Sequence, residues 1–475
     1  MMESMIKENG LTFKDIEKRI FKECCQIAQE TTKELLEEYD RYLMESRNKE
    51  TYRHKGRKTT TVKTIYGEVT YRRSIYETYD EDGQKKYVYL LDETLDLKTA
   101  GFISQNYAEQ LVKGITTKSY RNCAKEISDN TGQVISAMGV WNVVQTLGEE
   151  IHKEEKELAA RHRKKPLCGK KTSPVIFEET DGVNIRLQGK DRLRTKDGKA
   201  EMKVAIAYDG WRKVAEKRYL LDGKVAFAGF EKSKEFHSIR EAKIASEYDL
   251  SEAQLRLLNG DGASWIKKVP DTETVFQLDL FHRNKAIKEK IHSKKAQRDV
   301  LDFLKEEDIS GMFRYLEMYK DSLSDDKEID DAEDLIKYFT SNATGLIPYR
   351  LRIEVPESPE GIEYRNMGTM ENHIWSIVAN RMKHNHTSWS INGGNNLAKL
   401  LAKKCEGKLG EVAERIRKPL FEEEKTEEML EKILPSRQNP ERIGKGYAYP
   451  VMGSLPALSE ALRGDGRKIL SMAGY

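Results

Sequence analysis

The spacing of apolar positions changes twice within the first hundred residues. Residues 11–48 place apolar side chains at roughly helical intervals, which predicts a long helix. The apolar members of its first half are Phe13, Ile16, Ile20, Phe21, Cys24 and Ile27. Residues Thr59–Tyr79 instead alternate β-branched and aromatic residues with charged ones around Tyr66-Gly67-Glu68, which predicts a β-hairpin. Tyr87–Leu91 has the composition of one more strand.

Helical spacing returns between residues 100 and 150. Tyr120–Ser128 and the residues after Ser136 predict two helices, joined by a polar turn at Asp129–Gly132. The residues expected to pack the two together are Ala124, Ile127, Val134, Val140 and Val144. This arrangement resembles a helix-turn-helix, whose second helix enters the major groove of DNA. A helical hairpin that does not contact DNA has the same pattern, so both interpretations remain open.

From Ser173 onward the period is two. The predicted strands are Pro174–Thr180 with its continuation Val183–Leu187, then Glu201–Tyr208, Arg218–Leu221, Lys224–Phe230, Leu255–Leu258 and Thr274–Leu280. The predicted helices between them are Phe236–Tyr248 and Ser264–Val269. Three β-elements followed by helix, strand, helix and strand are the order of a ribonuclease H-like core, an α+β or α/β fold with helices on both faces of a mixed sheet.

The remaining third of the chain is mostly helical. Residues 283–345 are charged and show no strand pattern, which predicts an all-helical insertion. Glu371–Lys383 is amphipathic, with Ile374, Trp375, Val378 and Met382 on one side. Trp265, Trp375 and Trp389 are expected in the core. The predicted regions are an N-terminal helical region (1–50), a β-hairpin region (51–98), a helix-turn-helix-like DNA-binding domain (99–165), the first part of the core (172–290), the insertion (291–364), the C-terminal core helices (365–433) and a tail (434–475).

Composition excludes several classes of protein. The chain has 475 residues, of which 38% are hydrophobic and 34% charged. No apolar run approaches the roughly 20 residues of a membrane span, and the N-terminus lacks the apolar core of a signal peptide. The five cysteines form no disulfide framework, which favours the reducing cytoplasm. Because 82 Lys and Arg residues face 79 Asp and Glu residues, any nucleic-acid surface must come from local clusters.

Basic residues cluster in the hairpin, in the two-helix segment and in the run RHRKKPLCGKK that follows it. The candidates for contact with DNA phosphates are Arg57, Lys58, Lys118, Arg121, Arg161, Arg163, Lys164 and Lys165. The alternative is that these residues form a solvated hairpin face and an ordinary basic linker.

Three acids occupy positions suited to metal-assisted chemistry. Asp181 is expected to end the first core strand, Asp261 follows the strand after the central helix, and Glu371 begins a helix after the insertion. Such carboxylates can hold two Mg²⁺ ions, which clamp the attacking and leaving oxygens of a phosphoryl transfer. Asp-Gly steps also occur in ordinary turns, and Asp209 at the end of a good strand is the main rival.

These motifs resemble those of bacterial insertion-sequence DDE transposases of the Mutator-like superfamily, most closely the ISLre-two type. The resemblance covers essentially the whole chain. It matches Asp181 in EETDGVNI, Asp261 in NGDGASWIKKV, Asp279 and His282 in QLDLFHRN, and Asn366, Glu371 and Arg381 in RNMGTMENHIWSIVANRMK. Asn366 lies farther from the acid than in those relatives, which leaves Glu363 as an alternative to Glu371.

The resemblance implies an active DNA transposase with Asp181, Asp261 and Glu371 as catalytic and metal-binding residues. It implies two Mg²⁺ ions, replaceable by Mn²⁺. The implied supporting residues are Asp279, His282, Arg381 and Asn366, and Asp279 is also the alternative to Asp261 as the second metal ligand. The implied partners are double-stranded DNA, as terminal inverted repeats bound through residues 1–165 and as target, and a second copy of the chain in a homodimer or larger synaptic complex. A bacterial, cytoplasmic, nucleoid-associated protein is expected. A nuclease that does not join strands and a DNA-binding protein without activity are the alternatives.

Overall fold

The computed structural model describes residues 12–80, 82–95, 103–267, 274–384 and 387–414. The chain divides into two compact units. The first comprises Met1–Lys98 with Ile416–Tyr475, and the second comprises Thr99–Arg415. Residues 415–433 of the predicted C-terminal helices and the tail from 434 lie outside the described residues. No helix in the described part of the chain is long and apolar enough to cross a membrane.

In the first unit a long helix packs on a three-stranded antiparallel sheet. Its elements are α1 (Phe13–Ser46), β1 (Arg53–Thr64), β2 (Gly67–Tyr79), β3 (Lys85–Val88) and α2 (Leu90–Leu95). The predicted hairpin is confirmed, with Thr64 paired to Gly67 at its turn. The third strand ends earlier than predicted because a helix begins at Leu90. Alternate residues in the first half of β2, up to Arg72, are buried, and the core contains Leu36, Tyr39, Val62, Val69, Tyr71 and Leu91.

The second unit is built on a five-stranded mixed sheet. Its strands are β4 (Val175–Arg186), β5 (Lys199–Tyr208), β8 (Val225–Gly229), β9 (Leu255–Gly260) and β10 (Thr274–Leu278), in the spatial order β8-β5-β4-β9-β10. The pairs β8–β5 and β5–β4 are antiparallel, and the pairs β4–β9 and β9–β10 are parallel. The predicted strand Arg218–Leu221 is not in this sheet. It is β7 of a small separate sheet with β6 (Trp211–Ala215) and β11 (Ile362–Glu363).

The two predicted helices of the helix-turn-helix segment exist, but they belong to this second unit. They are α4 (Tyr120–Asn130) and α5 (Ala137–Lys164), preceded by α3 (Gln105–Ile115). Helix α5 is 28 residues long and packs along α7 (Ser233–Glu247) and α16 (Ile391–Cys405). Gly148 of α5 lies directly against the backbone of Asn396 in α16. Val134 was expected between the helices, but it is 75% exposed because the turn directs it into solvent.

Residues 283–345 are helical, as predicted, whereas the range 291–364 given for the insertion also contains strand β11. The main helices of the insertion are α10 (Lys294–Lys305), α11 (Ile309–Asp321) and α12 (Asp326–Ser341), which follow α9 (Leu280–Lys290). They share a core with the end of β10 that includes Leu278, Ile287, Val300, Leu316 and Phe339. The short elements are α6 (Gly189–Leu193), α8 (Ser264–Lys267), a 3₁₀ turn (Ala343–Gly345) and α13 (Tyr349–Arg352).

The predicted amphipathic helix begins at the expected place but is irregular. It consists of α14 (Met370–His373), a π-helical segment (Ile374–Ala379) and α15 (Asn380–Met382), and the unit continues with α16 and α17 (Leu409–Glu414). The wider π turn changes which side chains share a face. Val378 and Met382 are buried as predicted, whereas Trp375 is 54% exposed, so its predicted place in the core is wrong.

Candidate metal centre

The strand register brings the predicted acids to one pocket. Glu179 and Asn259 are the last parallel pair of β4 and β9, and two residues farther on come Asp181 and Asp261. Asp181 was expected to end its strand, but β4 continues because Asp181 pairs with Val204 of β5. The N–H of Asp279 donates to the carbonyl of Gly260, 2.8 Å away, which places the start of α9 beside Asp261. The pocket is lined by Thr180, Asp181, Asn259, Gly260, Asp261, Asp279, His282, Met370 and Glu371.

Asp181 is the most perturbed carboxyl group of this pocket. Burial raises its pKa to about 6, and the negative charges of Asp261 and Glu371 add to the shift. A hydrogen bond from the N–H of Gly182, 2.7 Å long, and the nearby His282 act in the opposite direction. A carboxyl group whose pKa is raised by burial and by neighbouring carboxylates is typical of a site that binds a cation.

Asp279 and His282 form a supporting pair at the start of α9. The Asp279 carboxylate caps the helix by accepting the N–H groups of Phe281 and His282. Asp279 Oδ1 lies 3.2 Å from His282 Nδ1, and this hydrogen bond raises the pKa of His282 against the effect of burial. The other imidazole nitrogen, Nε2, lies 4.0 Å from the carboxylate of Glu371. Asp279 therefore orients His282 toward Glu371, which fits the predicted supporting role.

Among the described residues, one group of potential metal ligands consists of Asp181, His282 and Glu371, whose donor atoms all lie within 4.8 Å of one another. Asp261 lines the same pocket but is not in this group, and one of its carboxylate oxygens accepts the N–H of Ala263 at 2.8 Å. The carboxylates provide the oxygen ligands that Mg²⁺ and Mn²⁺ prefer. The group Asp181, His282 and Glu371 therefore has the donors for one divalent ion, with two carboxylates and one imidazole nitrogen.

Glu179, which is fully buried behind the pocket, was not among the predicted site residues. Its carboxylate accepts hydrogen bonds from Tyr208, Asn259 and the segment Gly368–Met370 that leads into Glu371. Gly368 has a φ of +120°, a conformation that favours glycine, and this bends the segment around the carboxylate. Two consecutive acids in the apolar strand PVIFEET were the available sequence signal.

Two predicted supporting residues are not at the pocket. Asn366 lines a separate cavity of about 620 Å³ together with Glu363, so the structure favours Glu371 over Glu363 as the site acid. The Arg381 guanidinium donates to the carbonyl of Ile115 at 2.9 Å and packs on the rings of Tyr120 and Trp389. Arg381 thus holds α3 in place. The rival acid Asp209 forms an ion pair with Lys171 at 2.8 Å.

The predicted DNA-contacting residues are divided between the two units of the chain. In the first unit, Arg57 and Lys58 are exposed on β1. In the second unit, Arg121 is exposed on α4, whereas Lys118 is ion-paired with Glu126. The remaining four, Arg161, Arg163, Lys164 and Lys165, are exposed at the C-terminal end of α5.

Sequence comparisons identify relatives over most of the chain. A family profile described as "Uncharacterised protein family (UPF0236)" matches residues 6–418. A UPF0236 protein of Caldanaerobacter subterraneus subsp. tengcongensis is 25% identical over 420 residues, which cover 87% of this chain and 82% of the relative. Another from the same bacterium is 25% identical over 411 residues, covering 85% of this chain and 81% of the relative. The first of these names is shared by eleven loci of that organism.

Proposed function

We propose that this chain, which belongs to the UPF0236 family, is a metal-dependent DNA transposase of the DDE type with a ribonuclease H-like core. One observation carries the proposal: Asp181, Asp261, His282 and Glu371, from four separate segments, line a single pocket at the centre of the mixed sheet. Asp181 and Glu371 are 190 residues apart in the sequence, and the stability of the fold does not require them to share a pocket with Asp261 and His282. A phosphoryl-transfer site requires such an arrangement.

The sheet supports the fold part of the proposal. Within this sheet, three antiparallel strands (β4, β5 and β8) are followed along the chain by two strands parallel to β4, and β4 is central. This is the order expected for a ribonuclease H-like core. Asp181 lies on that central strand and Asp261 at the end of its parallel neighbour, where carboxylates meet at one edge.

The site residues have distinct roles in the proposed reaction. Asp181, Asp261 and Glu371 would hold two Mg²⁺ or Mn²⁺ ions, which supply charge stabilisation to the attacking and leaving oxygens. Asp279 holds His282 in place, so that its other nitrogen faces Glu371 and could donate to the phosphate of a bound DNA. Exposed aromatic or hydroxyl nucleophiles are not required, because the chain forms no covalent bond to DNA.

The proposed reaction has two steps, hydrolysis at the end of the element and transfer of the new 3′ end to target DNA. Water attacks the phosphodiester at the end of the element, the bond from phosphorus to the 3′ oxygen breaks, and this oxygen takes a proton to become a free hydroxyl. The hydroxyl then attacks a target phosphodiester and loses its proton, and the displaced target 3′ oxygen takes up a proton to leave as a hydroxyl. The second step conserves the number of phosphodiester bonds and needs no nucleotide energy source.

The relatives give independent support for a mobile element. A name shared by eleven loci of one bacterium describes a gene in many copies, as transposition produces. Transposition also requires two DNA ends to be brought together, so we propose a homodimer or larger complex on double-stranded DNA.

The experiment uses the full chain, Mg²⁺ or Mn²⁺, and DNA that carries the sequences flanking the gene. Wild type is expected to release 3′-hydroxyl ends and to join them to target DNA. Glu371→Gln should lose both products and keep its affinity for the DNA ends. The matched control is Glu363→Gln, which changes an acid in the separate cavity and should retain both activities.

Other results would favour one of the alternative functions or a different site residue. Strand transfer that persists in Glu371→Gln refutes the site assignment. Cleavage without joined products favours the nuclease, and binding of DNA ends without any cleavage favours the protein that only binds DNA.

A further inference from the structure

The carboxylate of Glu179 is saturated with hydrogen-bond donors although the side chain is completely buried. Oε1 accepts from the hydroxyl of Tyr208 at 2.5 Å and from both the N–H and the hydroxyl of Thr369, at 3.2 and 2.7 Å. Oε2 accepts from the side-chain amide of Asn259 at 3.2 Å and from the N–H groups of Gly368 and Met370, both at 3.1 Å. Six donors directed at one carboxylate hold it in a single orientation.

Glu179 and its donors connect the segments that carry three of the site acids. Glu179 itself lies two residues before Asp181, and Asn259 lies two residues before Asp261. The Asn259 amide also donates to Asp279 at 2.8 Å, and Asp279 in turn orients His282.

The third connection is to the start of the helix that carries Glu371. The first N–H groups of a helix have no partner within it and favour a negative charge. The N–H groups of residues 368–370, which directly precede Glu371, all donate to Glu179. These hydrogen bonds to the buried side chain of Glu179 therefore fix where this helix begins relative to β4.

We infer that Glu179 is a positioning residue of the metal centre, which sets the separation of the Asp181 and Glu371 carboxylates by fastening the start of α14 to β4 and β9. This inference rests on one part of the proposed function, the binding of divalent metal in the pocket. Glu179 is not among the residues that line the pocket, and it acts through the elements that it joins.

Glutamine is the informative substitution at this position. It has the same size as glutamate but replaces one acceptor oxygen with an NH₂ group. In either orientation of the amide, this NH₂ group faces at least one backbone N–H, from Thr369 or from Gly368 and Met370, which then loses its acceptor. The start of α14 is released while the packing volume is kept.

Glu178 provides a matched control. It precedes Glu179 on the same strand and is equally buried, but it faces the other side of the sheet, where it forms ion pairs with Arg240 and Arg256. Glu178→Gln removes the same charge from the same strand without touching the start of α14.

The test measures the dissociation constant of Mn²⁺ for the full-length protein from the electron paramagnetic resonance signal of the free ion, and DNA cleavage separately. Glu179→Gln should raise this constant by about 10–100-fold, the usual effect of removing a group that supports metal ligands. Glu178→Gln should lower thermal stability and leave the constant unchanged. Thr369→Val removes only one hydroxyl donor, and it should raise the constant by less than Glu179→Gln.

Thr369→Val also carries the test if Glu179→Gln does not fold. An unchanged Mn²⁺ constant in Glu179→Gln and Thr369→Val overturns the inference, and so does an equal increase in Glu178→Gln. If the wild type binds no Mn²⁺, the inference and the metal part of the proposed function both fail. If the constants follow the expected order but the wild type cuts no DNA, the inference stands and the proposed function fails.

Discussion

Replacing Asp181 with asparagine should make the metal-free protein more stable while removing a metal ligand. The folded protein holds the pKa of Asp181 at about 6, against 3.8 for the unperturbed group. A raised pKa in an acid means that folding disfavours its charged form, so the ionised side chain destabilises the native state. Asparagine keeps an oxygen that can accept the N–H of Gly182 but carries no charge.

The magnitude follows from the shift. Roughly two pH units at ~1.4 kcal/mol per unit give an upper limit of ~3 kcal/mol at pH 8. Because the side chain is only partly buried, solvent screening reduces the expected gain to roughly 1–2 kcal/mol. The penalty is absent below pH 3.8, grows as the pH rises to about 6 and is complete above it. The gain at pH 5 should therefore be roughly half of the gain at pH 8.

Urea unfolding followed by tryptophan fluorescence measures this gain in the relevant unit, because all five tryptophans lie between residues 141 and 389. Asp222→Asn is the control of opposite sign, since Asp222 forms ion pairs with Lys171 at 2.6 Å and with Arg212 at 3.2 Å. Mn²⁺ should stabilise the wild type and not Asp181→Asn. An Asp181→Asn protein that is less stable than the wild type at pH 8 refutes the reasoning.

Three further substitutions test other parts of the structure. Gly148→Ala should destabilise the second unit by about 1–3 kcal/mol, since the new Cβ would lie 2.6 Å from the backbone of Asn396. An unchanged midpoint of urea unfolding would contradict the close packing of the two helices. Lys399→Met should lower stability by about 3–5 kcal/mol in the same assay, because Lys399 is fully buried and pairs with Glu231 at 2.6 Å; an equally stable variant would show that the pair is not needed. Changing the four Arg and Lys residues of 161–165 to glutamine should flatten the salt dependence of DNA binding by about 0.9 per lost phosphate contact, measured by fluorescence anisotropy, and an unchanged slope excludes this run from the interface.

The sheet and its acids were predictable because they depend on local patterns. Apolar runs that end in Asp-Gly located the strands carrying Asp181 and Asp261, and parallel strands place their ends side by side. The continuation of β4 past Asp181 was not predictable, since pairing with β5 outweighs the turn preference of Asp-Gly.

The contributions of residues that act through tertiary contacts were not predictable. Arg381 occupies an expected position in the sequence motif, but its guanidinium is engaged by Ile115. Trp375 fits the apolar face of a regular helix, and the π-helical segment turns it into solvent. Glu179 acquires its role only when the residues before Glu371 fold back onto β4 across 190 positions of sequence.

The most direct measurement is the anomalous scattering of Mn²⁺ in crystals of the protein grown with a short DNA duplex. A phosphoryl-transfer site should give two peaks about 3.5–4 Å apart in the pocket, both in contact with the carboxylates of Asp181, Asp261 or Glu371 and next to a DNA phosphate. Manganese bound elsewhere, with this pocket empty and DNA distant from it, would contradict the phosphoryl-transfer site.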